Sequence, residues 1–344
     1  MIKRIPASYS AGIILSYKCN ASCLHCMYAC SPKWRGNWTS EKGLEHLLSI
    51  LKDTIQPSPL GPDYIGVNHG IHFTGGEPFL NFKLLLRATE MASYFGIPSL
   101  FVETNCFWCK NKKTTREKLL ALKEKGMKGI LISVNPFYLE YVPFERTKTC
   151  VEVSREIFGV NTLVYQIEYY RRFSQFGITG TLAFEEFLKL ERGKYFARNV
   201  EFFLMGRAPY KIAEKLSVIF PRFKASRFFF ESCRPPFLRN WHNHFDNYGN
   251  FIPGYCGGIA LGNWNNGREL FGREINTTEY PLLKYLMHED MKGLFKYART
   301  LGFKENGDGY FSKCHLCTDI RKYLSSSGNY GELKPEEFYL YLED

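Results

Sequence analysis

The chain has 344 residues, 45 Lys plus Arg against 34 Asp plus Glu, a formal charge of +11, eleven cysteines and 45% apolar content. That balance excludes a disordered chain, and the length excludes a small disulfide-stapled scaffold, because one large or two moderate domains can bury a core unaided. Ala11 to Leu15 is too short for an export signal, and no apolar run reaches the roughly 18 residues of a membrane span. The expected setting is therefore cytoplasmic, without a membrane partner, where an odd number of cysteines points to metal ligands or reactive thiols.

From Ala11 to about Ala208, short apolar runs alternate with amphipathic stretches, the pattern of β/α units around a parallel sheet. Six strands are predicted: Gly12 to Leu15, Gly70 to Phe73, Ser99 to Val102, Gly129 to Val134, Asn161 to Tyr165 and Val200 to Met205. Leu44, Leu47, Leu48, Leu51 and Ile55 form a helical stripe behind the cap candidates Thr39 and Ser40. Leu84, Ala88, Met91, Ala92 and Phe95 form a second, ending at Gly96 before Pro98. After Pro209, punctuation by Arg234-Pro235-Pro236, Asn247-Tyr248-Gly249-Asn250 and Pro253-Gly254 reads as loops with a short hairpin. Helices are expected from about Glu279 to Leu301 and from about Thr318 to Leu324, and the domain boundary near residue 225.

Directly after the first strand stand Cys19, Cys23 and Cys26, spaced C-x3-C-x2-C. Three thiolates leave a metal centre one open position, whether that centre is a four-iron cluster or a zinc ion; a closed structural zinc would need a fourth ligand, such as Cys30 or His25. The second strand ends in Thr74-Gly75-Gly76-Glu77-Pro78, a glycine pair that lets backbone approach a ligand, beside a carboxylate able to bind a cation. A plain tight turn capped by Glu77 is the alternative. In a parallel sheet both motifs lie at the strand C-termini, the end at which barrel active sites form.

With these two motifs the chain resembles the radical S-adenosylmethionine (radical SAM) superfamily over roughly residues 11 to 208. The resemblance implies that Cys19, Cys23 and Cys26 ligate a [4Fe-4S] cluster whose fourth iron chelates SAM, and that Gly75, Gly76, Glu77 and Pro78 form the turn holding the SAM amino group. Ser133 and Asn135, at the end of the fourth strand, are similar to the family's ribose-side pair; Thr104 and Asn105 would border the cofactor. The implied chemistry is reductive cleavage of SAM to a 5'-deoxyadenosyl radical that abstracts hydrogen from substrate, with an external donor such as flavodoxin or ferredoxin.

Past the barrel, Cys233, Cys256 and the pair Cys314 and Cys317 supply four thiolates, enough for a complete cluster or a structural zinc. They resemble the auxiliary-cluster extensions called Twitch and SPASM, and too few cysteines follow for a second SPASM cluster. The expected fold is thus α/β, a partial (β/α)6 radical SAM barrel over residues 1–225, then a small Twitch/SPASM-like cysteine-rich domain over residues 226–344 with a second [4Fe-4S] cluster.

Cys106-Phe107-Trp108-Cys109 repeats the C-x2-C spacing but is read as an aromatic wall rather than a redox pair, and Cys30 and Cys150 as packing residues. Trp241 to Asp246 is read as hydrogen bonding within a hairpin, with substrate contact or proton transfer as the alternative. No catalytic acid or base stands out; Glu103, Tyr165, Arg207 and His244 are positional candidates for substrate contact. The chain enters its first strand early, which favours a small molecule or short peptide as substrate. The basic segment Lys189 to Arg239 would suit an acidic or phosphorylated one, and no nucleic-acid partner is expected for want of an aromatic-basic RNA motif. A SPASM-type maturase of peptide side chains, and a non-catalytic iron-sulfur or zinc protein, are the alternatives.

Overall fold

The computed structural model describes residues 4–199, 203–217, 219–231, 233, 237–287 and 290–344. Five strands follow the predicted order: β1 (Ser10–Ser16), β2 (Gly70–Gly75), β3 (Phe101–Thr104), β4 (Gly129–Ser133) and β5 (Thr162–Tyr165). The helices between them run α1 (Glu41–Leu51), α2 (Phe82–Tyr94), α3 (Lys112–Glu124), α4 (Pro136–Leu139) and α5 (Phe144–Phe158). α1 begins where the Ser40 side chain accepts the Gly43 N–H, and it buries Leu44, Leu47, Leu48 and Leu51 of the predicted stripe; Ile55, the stripe's last member, is buried but lies past the helix end. α2 is capped by Asn81 and followed by Gly96 at φ +69°, the left-handed position that lets the chain turn into β3.

Three further strands, β6 (Asn243–Asp246), β7 (Asn250–Ile252) and β8 (Gly262–Asn263), complete one sheet in the order β5-β4-β3-β2-β1-β6-β7-β8. β1 to β5 are parallel throughout. β6 pairs in parallel with β1, and β7 and β8 return antiparallel, so the hairpin predicted around Asn247 to Asn250 forms at the β1 edge of the sheet. β1 thereby becomes an interior strand with all seven residues buried, consistent with its unbroken apolar run.

Three expectations are corrected. Residues 200–202 of the predicted strand Val200 to Met205 lie outside the described residues, and Phe203 to Met205 form no strand. The sixth parallel strand is β6, on the opposite flank of the sheet from β5. The helix expected from Glu279 to Leu301 is two, Pro281–Met287 and Met291–Thr300, the second started by Asp290, whose carboxylate accepts the Gly293 N–H. Conversely, Lys313–Ser327 is longer than expected and puts Cys314 and Cys317 in its first two turns, behind the Ser312 cap. The loop Arg234-Pro235-Pro236 falls outside the described residues. Among the described residues no helix is long and apolar enough to cross a membrane.

Candidate active site

A cavity of about 170 Å³ lies across the C-terminal ends of the parallel strands. The loop after β1 supplies His25, Cys26, Met27 and Tyr28; the ends of β2 to β5 supply Thr74, Gly75, Glu103, Ser133 and Tyr165; His242, His244 and Tyr255 enter from the C-terminal half.

The cysteine loop is held from two sides. On one, the glycine turn docks against it backbone to backbone: the Gly76 N–H donates to Ser16 O (2.8 Å) and the Glu77 N–H to Lys18 O (3.0 Å). Gly75 has φ +112°, and a Cβ on it would stand 2.6 Å from Ser16 O; a Cβ on Gly76 would overlap the Lys18 carbonyl. The glycine pair therefore serves contact with the cysteine loop. Glu77 is buried and accepts from Phe79 N–H (3.2 Å), Thr104 Oγ1 (2.9 Å) and Asn105 N–H (2.8 Å). Burial pushes its carboxyl up to about 7 against the pull of these donors. It ties the end of β2 to the end of β3 and, through the Phe79 N–H, caps the turn that follows.

On the other side stands Arg207, fully buried, whose guanidinium donates to the carbonyl oxygens of Cys23 (3.1 Å), Cys30 (3.2 Å), Ala29 (2.7 Å) and Tyr341 (3.1 Å). Its N–H donates to Cys26 O (3.1 Å), and a Cβ on neighbouring Gly206 would lie 2.5 Å from that same oxygen. Arg207 is thus a brace of the cysteine loop and not a substrate contact, a correction of the positional expectation. Its charge favours thiolates: it lowers the Cys23 and Cys26 thiols, although burial and the mutual repulsion of Cys19 and Cys26 hold Cys23 high. Cys26, hydrogen-bonded by Cys30, is pulled below its ordinary value, while burial and Glu77 push Cys19 up.

The other predicted cofactor residues divide into two groups. Ser133 and Asn135 line the cavity; Asn135 caps α4 and its Nδ2 donates to Gln166 Oε1 (3.2 Å) and meets His25 Nε2 at 3.0 Å. The His25 ring stacks on Phe137 at 4.7 Å and is kept neutral, at about 3, by burial and Arg207. Thr104 and Asn105 instead lie behind the cysteine loop: Thr104 bonds Glu77 and receives Cys106 N–H and Trp108 Nε1, while Asn105 Nδ2 donates to Asn20 Oδ1 (2.9 Å) and lies 3.8 Å from Cys19 Sγ. Pro78 opens a short 3-10 turn outside the cavity.

A second cavity, of about 50 Å³, is lined by Cys233, Cys256, Cys314 and Cys317. Burial pushes Cys256 up to about 12 and Cys314 to about 11, and each is raised further by the neighbouring thiols. Two cations face them. Lys313 bonds Cys233, and buried Arg321 bonds Cys317, Gly257 O (2.9 Å) and the Tyr339 hydroxyl (2.9 Å). Met27 and Tyr255 line both cavities.

Sequence reasoning missed three features. Cys150 is buried in the core, and its Sγ joins those of Cys106 and Cys109, all within 4.8 Å of one another. His72 on β2 was passed over, yet it meets His242 and His244 in the same way. The reading of His242 and His244 as hairpin hydrogen bonders is incomplete, since both line the main cavity. A glycine at position 12, inside an otherwise apolar strand, was the available signal for the last two.

No family model matches this chain. Over 148 residues it is 28% identical to YydG of Bacillus subtilis (strain 168), whose given name places it provisionally in peptide biosynthesis; the match covers 43% of this chain and 42% of that protein. This chain therefore aligns with about two fifths of that relative's length. Among solved structures it is similar to BtrN in complex with AdoMet and 2-DOIA (15% identity, TM-score 0.47, 84% of this chain and 90% of that one). It is also similar to anSMEcpe with bound AdoMet and Kp18Cys peptide (14% identity, TM-score 0.44, 91% and 96%).

Proposed function

We propose that this chain, which resembles the radical SAM superfamily in its motifs, is an enzyme that binds SAM in the strand-end cavity and generates a radical there for hydrogen abstraction. The observation that carries the reading is the cysteine loop itself: Cys26 lines the cavity, Cys19 and Cys23 are buried in the same loop, and the buried Arg207 cation is hydrogen-bonded to that loop's carbonyl oxygens. A donor set of that charge suits a [4Fe-4S] cluster with one open iron. Cys19, Cys23 and Cys26 would hold it. Once bound, the cluster and SAM supply one-electron reductive cleavage of a C–S bond.

The chain's own residues define what surrounds that chemistry. The Glu77 carboxylate is engaged by protein donors, which leaves the main-chain carbonyl oxygens of the glycine turn to accept from the SAM amino group. Ser133 and Asn135 are placed to meet a ribose, and the His25 to Phe137 stack offers an apolar face beside them. Met27, Tyr165 and Tyr255 line the remaining space, where the reacting C–H would be positioned.

Cys233, Cys256, Cys314 and Cys317 fit a complete cluster, because four thiolates meet two cations in a buried setting, and this auxiliary site is assigned to the Twitch-like reading. The substrate class is a peptide or small molecule. YydG's name favours a peptide. An acidic or phosphorylated substrate loses support, since Arg207 is internal and Lys189, Lys215 and Arg222 pair with Glu186, Glu185 and Asp308. Residues 226–344 are proposed as the auxiliary-cluster region, with flavodoxin or ferredoxin as electron donor.

The test is anaerobic reconstitution with iron and sulfide counting and dithionite-driven formation of 5'-deoxyadenosine. About eight irons with SAM cleavage are expected. Cys23→Ala should abolish cleavage, and Cys314→Ala should leave the first cluster in place. Cleavage surviving Cys23→Ala would overturn the assignment.

A further inference from the structure

At the inner end of the main cavity lies a cluster that the radical reading does not use. His72, His242 and His244 are buried, with ring centroids 5.0, 5.5 and 5.2 Å apart in a near-equilateral triangle. One ring nitrogen of each lies within 4.8 Å of the others.

Their tautomers follow from the hydrogen bonds. His242 Nδ1 is 2.7 Å from Val67 O, and His244 Nδ1 is 2.8 Å from Gly254 O. A carbonyl only accepts, so both Nδ1 atoms carry the proton and both Nε2 atoms present lone pairs. His72 Nε2 is buried with no hydrogen-bond partner among the described residues. Imidazoles whose far N–H is anchored on a backbone carbonyl, with the near nitrogen left bare, have the ring orientation and tautomer that metal sites use.

The sheet has been shaped to leave room between them. Gly12 of β1 stands in register with His72 on one side and His244 on the other. A Cβ at residue 12 would fall 2.6 Å from His72 Nε2 and 2.7 Å from His244 Nε2, so both nitrogens converge on the space over the one residue of β1 that has no side chain. The surrounding groups add an acid and a hydroxyl. Glu103 Oε1 is 3.6 Å from His72 Nε2, its Oε2 accepts from Thr74 Oγ1 (2.5 Å), and the Tyr28 hydroxyl is 3.1 Å from His244 Nδ1 and 3.4 Å from its Nε2. The Tyr255 ring lies 4.9 Å from that of His242, and Arg239 donates to His242 O (2.9 Å).

We propose that His72, His242 and His244 form a binding site for a divalent transition-metal ion of the zinc or ferrous class, beside the carboxylate of Glu103. Three neutral imidazoles leave coordination positions open, as catalytic rather than structural sites do. His242, His244 and Glu103 line the main cavity, so those positions face it, and an oxygen donor on a substrate, a peptide carbonyl or a carboxylate, is the ligand they would take. The site stands on its own residues and does not depend on the cysteine assignments.

The experiment supplies Zn²⁺ in excess to the anaerobically reconstituted full chain, removes unbound metal, counts zinc by mass spectrometry and reads its shell by X-ray absorption. The expected result is about one zinc with nitrogen and oxygen scatterers near 2.0 Å. His242→Ala should lower zinc retention at least tenfold. Gly12→Ala keeps all three imidazoles and fills the space between them, and should do the same. Cys23→Ala should retain the zinc even though the radical reading would lose its cluster. No retained zinc, or a shell of sulfur near 2.3 Å alone, which would place the ion on cysteines such as Cys106, Cys109 and Cys150, overturns the proposal. So does retention unchanged in both His242→Ala and Gly12→Ala. The wild-type shell decides even where a variant fails to fold.

Discussion

Replacing Arg207 by Leu removes the cation under the cysteine loop and keeps most of the buried volume. The guanidinium donates to four carbonyl oxygens, and three of them, from Cys23, Ala29 and Cys30, belong to the loop itself. A hydrogen bond from a charged donor contributes about 1.5–3 kcal/mol, and a buried carbonyl left without a donor costs about 1–3 kcal/mol. The desolvation of a buried guanidinium offsets part of this. The net expectation is a loss of about 3–5 kcal/mol of unfolding free energy. Arg207→Lys carries the charge but cannot fork, so it should recover only part of that. Two assays read the effect: denaturant midpoints of the iron-free chain, and irons per chain after reconstitution, with Arg207→Leu expected to lose about four irons and Arg207→Lys fewer. If Arg207→Leu unfolded within about 1 kcal/mol of the parent and loaded iron fully, the brace assigned to Arg207 would be wrong.

Gly76→Ala puts a methyl group into the Lys18 carbonyl and must part the turn from the cysteine loop; the expected cost is about 2–4 kcal/mol, with iron loading reduced at the first site, checked by the same two assays. Glu77 titrates at about 7 in the folded chain against an ordinary 4.5, so folding takes up a proton between those values and stability falls as pH rises from about 4.5 to 7. The contribution is about 3 kcal/mol at most, and Glu77→Gln should flatten the difference between denaturant midpoints measured at the two ends of that window. A fragment ending at residue 225 should aggregate, because it strips β6 from β1 and turns a fully buried strand into an exposed edge; a soluble monomer with cooperative unfolding would contradict this.

What could be read from the chain alone was whatever depends on neighbours in sequence. The Ser40 cap, the α2 stripe, the turn at Gly96 and five of the parallel strands are local patterns, and each is present. The cysteine spacing and the glycine pair marked one end of the sheet for the same reason. The roles of Arg207 and His72 are not legible in the chain alone because their partners are distant: Arg207 reaches back to Cys23 and forward to Tyr341, and His72 meets His242 and His244 only because β6 docks on β1. Glu77 is the instructive middle case. Its position was noticed, yet its role depends on the Thr104 hydroxyl and Asn105 N–H that β3 brings beside it, and periodicity does not report how the end of one strand meets the next.

The placement of β6 also bears on how the two halves cooperate. Tyr17, one step past the end of β1, donates to Asp246 at the end of β6 (2.9 Å), and Asp246 in turn accepts from the Tyr248 and Asn250 N–H groups and from the Asn250 amide that shape the hairpin. The entry to the cysteine loop and the turn of the C-terminal hairpin are therefore fixed by one carboxylate. Behind it, Arg207 joins the same loop to Tyr341 near the chain's end, and Met27 and Tyr255 form a wall common to both cavities. Residues 226–344 supply two of the three histidines, Tyr255 of the first cavity's lining and all four thiols of the second. A substitution that loosens the β1 to β6 pairing should then disturb both thiol sites and the histidine cluster together, whereas one confined to the Lys313–Ser327 helix should disturb the second thiol site alone.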